Sequence, residues 1–214
     1  ILMNRHVLPF AGYPIYILQA GFNLNEDELN ILRNLQYTKH NSIDDLKLSV
    51  DTDILQMDSL QRLKQFIKTS LDDYVSNVLE INNQFSFCQS WSTIQTKKAR
   101  HPNHSHANHV ISSVYYAKAK DTQLTFNIEK SKLQDGYFFE YDIKNYNIYN
   151  SSAYTISLKT GDIIFFPGQL GHESSVNNEE ERIAVGSSFF IDGKIGSNAL
   201  TSSIDITNNK KVKY

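Results

Sequence analysis

The strongest constraint on this chain is a cluster of histidines that opens straight into a strand-like segment. His101-Pro102-Asn103-His104-Ser105-His106-Ala107-Asn108-His109 is followed by Val110-Ile111-Ser112-Ser113-Val114-Tyr115-Tyr116, and four of the seven histidines fall in the first part. The β-branched and aromatic residues that follow are those of a strand. On extended backbone, His104 and His106 leave the same face. Two imidazoles side by side there are natural ligands for divalent iron, zinc, copper or nickel. A third ligand must come from elsewhere. Gly161-Asp162-Ile163-Ile164-Phe165-Phe166-Pro167-Gly168-Gln169-Leu170-Gly171-His172 reads as a short apolar strand running into a loop that ends on a histidine, and Arg182 lies ten residues on.

A solvated, metal-free histidine loop is the alternative. His172 and Arg182, in that order after the cluster, favour a metal site. The order also carries a resemblance. Phe87-Cys88-Gln89-Ser90-Trp91, His104-Ser105-His106 and Ser112-Ser113-Val114-Tyr115-Tyr116, then Gly161 to Pro167, His172 and Glu181-Arg182-Ile183-Ala184-Val185, resemble a group of 2-oxoglutarate/Fe(II) oxygenases found in bacteria and in tailed phages of marine cyanobacteria. The likeness spans roughly residues 85 to 192 and is weak over the first eighty. It implies a double-stranded β-helix (a jelly roll, cupin-like) with iron at its open end.

The chain has 214 residues, a formal charge of −2 and a pI of about 6.4. That length suits a single domain over 1–214: a helical part at 1–83 packing on the core, a jelly-roll core at 84–192 and a polar tail at 193–214. The fold class expected is mainly β with flanking α. The charge gives no footprint for nucleic acid, and no apolar run approaches a membrane span. No signal-peptide pattern is evident. A lone cysteine, Cys88, excludes an intrachain disulfide, reads as a small buried residue and suits a reducing, cytoplasmic setting (the host's, for a phage protein). The oligomeric state stays open, a homodimer included.

Taken in order, a strand is expected around Ile15 to Leu18 at the sheet edge. A helix follows, capped by Asn25 with Glu28 in reciprocal position and ending near Gln36. Residues 37 to 56 read as a polar loop. A second helix runs from a cap at Asp58 to about Glu80, roughly 35 Å at 1.5 Å per residue, with Leu60, Leu63, Ile67, Leu71, Tyr74, Val78 and Leu79 on one stripe. Strands are expected over Phe85 to Ser92 (with Trp91 in the core), Val110 to Ala117, Thr122 to Ile128, Tyr154 to Leu158, Asp162 to Phe166 and Arg182 to Ile191. Residues 95 to 103 read as a basic connector, and 129 to 153, rich in Tyr and Asn, as an insertion that either packs or forms a flap over the site.

Oxygenases of this kind use two histidines and a carboxylate on one face of iron. The resemblance implies His172 as a ligand, with His104 or His106 as the leading histidine, and Arg182 as the partner of the far carboxylate of 2-oxoglutarate, the co-substrate. Otherwise Arg182 makes a surface ion pair with Glu179 to Glu181. The chain departs from the pattern where the acid should stand, since His106 follows His104 and Asn108 follows His106. A three-histidine site of His104, His106 and His172 is preferred because imidazole binds Fe(II) better than the amide oxygen of Asn108. His101 and His109 read as supporting or surface groups. Ser112 with Tyr116, or Ser113 with Tyr115, reach the co-substrate, and the sequence does not choose. The expected activity is an Fe(II)/2-oxoglutarate dioxygenase that hydroxylates a small molecule or a protein side chain. Two other readings are a three-histidine dioxygenase without 2-oxoglutarate and a phage structural or assembly protein keeping the fold.

Overall fold

The computed structural model describes residues 4–10, 12–40, 43–127, 142–147, 150–196 and 202–207. Its elements are β1 (Asn4–Phe10), β2 (Tyr13–Gln19), α1 (Glu26–Arg33), β3 (Tyr37–His40), β4 (Ile43–Ser49), α2 (Gln61–Asn77), β5 (Gln84–Thr96), β6 (Ile111–Lys118), β7 (Thr122–Asn127), β8 (Ala153–Leu158), β9 (Ile163–Pro167), β10 (Gly171–Ser174), β11 (Glu181–Asp192), β12 (Lys194–Ile195) and β13 (Ile204–Asp205). Eight strands form one antiparallel sheet in the order β1-β2-β9-β6-β11-β5-β4-β3. A second sheet, β10-β7-β8, faces it, and β12 pairs with β13 apart from both. These two facing sheets are the mainly β, jelly-roll core that the family resemblance implied.

The strands of the large sheet bury both faces, so their alternation sorts residues into two cores. On β6, Ile111, Tyr115 and Ala117 face the helices, together with Ile183, Val185 and Phe189 of β11 and Leu63, Ile67 and Leu71 of α2. Tyr116, Ala184 and Phe166 face the small sheet and meet Leu124, Phe126, Ile156 and Leu158. Helix α2 covers the outer face, as its apolar stripe requires. Its start differs from expectation: Asp58–Leu60 is a single 3-10 turn without a side-chain cap, and the Gln61 amide donates to the Leu55 and Met57 carbonyls. The Asn25–Glu28 capping box at α1 is present in both directions.

Three expectations for the N-terminal part are corrected. It is not only helical, because β1 to β4 extend the main sheet on both sides. Strand β2 is not the edge, since β1 lies outside it. Residues 37 to 56, read as a loop, contain the β3–β4 hairpin. Leu46 is fully buried there and Ser49 Oγ accepts the Ser92 amide at 3.0 Å. Between Asp45 and Lys47, one inward leucine is too little to stand out as a period of two. The flap assigned to 129–153 lies mostly outside the described residues, as do Lys210, Lys211 and Lys213 of the tail. No helix among the described residues is long and apolar enough to cross a membrane.

Candidate metal centre

The histidine loop and the approach to His172 are held together by backbone pairing. His104 N donates to the His172 carbonyl at 3.0 Å, His172 N returns to the His104 carbonyl at 2.9 Å, and His106 N donates to the Gly168 carbonyl at 3.2 Å. His172 itself stands in β10, not in a loop as its sequence suggested. Antiparallel partners place their side chains on one face, so the His104 and His172 rings lie 4.2 Å apart, with His106 at 4.9 and 5.3 Å from them. Gly168 makes the approach feasible. A Cβ there would meet the His109 ring at 2.7 Å.

One ring nitrogen from each of His104, His106 and His172 falls within 4.8 Å of the others, a spacing that could hold a metal ion. The Nδ1 atoms of His104 and His172 are engaged with the carbonyls of Pro102 (2.8 Å) and Leu170 (3.0 Å). That contact fixes the Nδ1–H tautomer and leaves Nε2 as the donor toward a metal. Burial holds all three imidazoles below their usual pKa, His106 at about 4, with neighbouring histidines adding to the effect. Neutral imidazole is the ligating form. Asn108, the other group weighed as a ligand, is exposed, with φ at +64°, and is not among the residues that line the cavity.

The histidines open onto a cavity between the sheets. Trp91, Thr93 and Gln95 line it from β5, Ser112, Val114 and Tyr116 from β6, Ser174 from β10, and Arg182 and Gly186 from β11. Arg182 is 3% exposed. Its Nη1 donates to Gln95 Oε1 at 2.7 Å and to the Ser175 carbonyl at 2.8 Å, while Nη2 donates to the Val176 carbonyl at 3.3 Å. Its Nε is buried without a partner. The surface ion pair considered for it is not made. Glu181 turns instead to Arg33 (3.1 Å) and Lys118 (2.8 Å), and Lys97 takes Glu180. No carboxylate is among the described lining residues of the cavity. A buried guanidinium with an idle N–H beside a cationic metal site calls for an anion.

Of the two serine–tyrosine pairs, both serines and Tyr116 line the cavity with the histidines, and Tyr115 does not. Tyr115 points the other way, into the helix-side core, and its hydroxyl donates to the Phe22 carbonyl at 3.1 Å. Its assignment to the co-substrate is therefore withdrawn. Ser112 Oγ is bonded to His109 Nε2 at 2.7 Å, which ties His109 to the wall. His101 stacks on His104 with centroids 4.0 Å apart and lines the cavity. Trp91, read as core, lies 5.5 Å from the His106 ring on the cavity wall. Cys88 is only partly buried. Gln95, assigned to a polar connector, stands inside β5 directly opposite Arg182.

Residues 89–188 match a family model described as "Putative 2OG-Fe(II) oxygenase". Over this span the sequence carries a 2OG-Fe(II) oxygenase domain. The matched span runs from β5 to β11 and contains the three histidines, Gln95 and Arg182. Solved structures share the fold of this chain at low identity. A prolyl-4-hydroxylase from Pseudomonas putida is 13% identical, with a TM-score of 0.57, covering 86% of this chain and 95% of its own. An oxidoreductase of the 2OG-Fe(II) oxygenase family from Burkholderia pseudomallei gives 10% and 0.57, covering 82% and 84%. HygX from Streptomyces hygroscopicus, crystallised with nickel and 2-oxoglutarate, gives 10% and 0.56, covering 82% of each chain. No curated protein matched by sequence.

Proposed function

We propose that His104, His106 and His172 hold one Fe(II), that Arg182 binds the distal carboxylate of 2-oxoglutarate, and that the oxygenase hydroxylates a substrate admitted to the same cavity. The observation that carries this reading is the pairing of three converging imidazoles with a buried, carboxylate-free Arg182 whose Nε lacks a partner. Both halves fit the groups they would receive: neutral nitrogen donors for a divalent metal and an unsatisfied cation for a diacid. Iron and 2-oxoglutarate together would supply oxidative decarboxylation of the keto acid by O₂, giving succinate, CO₂ and an oxidant for a C–H bond.

The chain's own residues orient and exclude. The carbonyls of Pro102 and Leu170 hold two imidazoles in the ligating tautomer. Phe166, with its ring 4.7 Å from that of His172, and Leu124 close the floor against water. Tyr116, whose phenol burial pushes well above its usual pKa, stays protonated as a neutral donor near Arg182. Three neutral ligands leave the metal with one more positive charge than the two-histidine, one-carboxylate arrangement, which favours a dianionic co-substrate. A cytoplasmic location suits a one-cysteine chain and a ferrous centre. The substrate, a small molecule or a protein side chain, reaches the cavity on the three-histidine side.

The test is consumption of 2-oxoglutarate by Fe(II)-loaded protein, followed as succinate release, with and without Arg182→Ala. Slow succinate formation by the wild type and none by the variant is expected. Equal formation by both removes Arg182 from the role. A site that turns over an organic substrate with O₂ and no 2-oxoglutarate would instead support the three-histidine reading, which His106 in the acid's place specifically favours.

A further inference from the structure

Arg182 has five N–H donors, and the bonds it makes are unevenly placed. Both hydrogens of Nη1 are taken, by Gln95 Oε1 and the Ser175 carbonyl, and one of Nη2 by the Val176 carbonyl. What remains is Nε–H and one Nη2 hydrogen, which together form a single edge of the planar group. A carboxylate fits such an edge with two parallel hydrogen bonds.

Gln95 is the one side chain among the partners that fix this orientation, the others being backbone carbonyls. It faces Arg182 in register from the neighbouring strand and is 4% exposed. Its amide cannot rotate to offer nitrogen to Arg182 without cost, because Nε2 already donates to Ser174 Oγ at 3.1 Å. Ser174 Oγ in turn accepts the His101 amide at 2.9 Å, and the His101 ring stacks on His104. A continuous chain of contacts thus runs from Arg182 through Gln95 and Ser174 to the histidine cluster. A buried, neutral acceptor in this place orients the guanidinium without cancelling its charge, which a carboxylate would do.

We propose that Gln95 is a positioning residue. It turns the free Nε/Nη2 edge of Arg182 to the cavity, so that the site selects a five-carbon dicarboxylic keto acid over its monocarboxylic counterpart. The inference rests on the reading of Arg182 given above. Gln95 acts through Arg182 and not by touching the co-substrate.

The test uses Ni(II)-loaded full-length protein and two probes by calorimetry: 2-oxoglutarate, and 2-oxopentanoate, which has a methyl group where the distal carboxylate would be. Gln95→Met keeps the length of the side chain and removes the acceptor. It should weaken 2-oxoglutarate about tenfold, the scale of one lost hydrogen bond to a charged group, and leave 2-oxopentanoate and Ni(II) within twofold. Gln95→Glu keeps the shape and neutralises Arg182, and should weaken 2-oxoglutarate on the order of a hundredfold with the same indifference of 2-oxopentanoate. A general packing role would weaken both keto acids alike. That result, or unchanged 2-oxoglutarate affinity in both variants, overturns the inference alone. Wild-type protein that binds Ni(II) but not 2-oxoglutarate overturns the parent reading and this one with it.

Discussion

Gly186→Ala perturbs the metal site from the next strand, without touching a ligand. Gly186 sits opposite Trp91 in the β11–β5 register, and a Cβ placed there would lie 2.5 Å from both Cε2 and Cζ2 of the indole and 2.9 Å from Nε1. Ordinary carbon contacts need about 3.5 to 4.0 Å, so the ring or the strand must yield by roughly 1 Å. The strand is central and paired on both sides. The ring should therefore move, and it moves on the wall it shares with His106, 5.5 Å away. Overpacking of this kind costs about 1–3 kcal/mol. Trp91 is the single tryptophan of the chain, so its fluorescence reports the event directly. Ni(II) should quench wild-type emission with one-site saturation. The alanine variant should show a shifted emission maximum, a lower urea midpoint and weaker Ni(II) quenching. Identical spectra and identical titrations in both proteins would refute the argument that Gly186 makes room for Trp91 beside the site.

Other consequences follow from single contacts. His172→Ala should lower Ni(II) or Zn(II) affinity sharply in equilibrium dialysis, whereas His40→Ala, whose ring lies 6.0 Å from that of His101 and outside the three-histidine group, should not. Metal-free protein should lose stability in acid. Burial lowers the folded pKa of His101 to about 3 and of His106 to about 4, from 6.5. The unfolded chain therefore binds more protons below pH 6.5, and stability present above that pH falls between there and about pH 3. Thermal midpoints measured across that range without metal check it, and a flat profile contradicts it. Asp162→Ala should destabilise by about 2 kcal/mol, read from urea unfolding. The buried Asp162 carboxylate accepts the Ala20 amide at 2.8 Å and the Lys159 amide at 2.9 Å, and both would lose their partner.

Much of the site was legible because its chemistry is written in residue types. Histidines two apart at a strand entrance and a distant His172 point to a group that could hold a metal, while Arg182, ten further on, takes its proposed role from the family resemblance. The capping box at Asn25 and the stripe on α2 are equally local. What escaped depends on partners that no local pattern names. Gln95 looked like one more polar residue before Lys97 and Lys98, and only the β11 register sets it against Arg182. Trp91 has the alternation of a core residue, and its place at the cavity follows from a glycine ninety-five positions later. Between Ser112–Tyr116 and Ser113–Tyr115 the period is the same, and only the layer each tyrosine meets distinguishes them. The β3–β4 hairpin was hidden because its buried content is small and its outer positions carry charge.

The central claim is that one cavity holds a ferrous ion on three histidines and a dicarboxylic keto acid on Arg182. Anaerobic calorimetry of 2-oxoglutarate into Fe(II)-loaded protein tests it most directly. The account predicts saturable binding that needs the metal and weakens on the order of a hundredfold in Arg182→Ala, while Fe(II) affinity in that variant stays close to wild type. Fe(II)-loaded wild-type protein that shows no 2-oxoglutarate binding at millimolar concentration would contradict it.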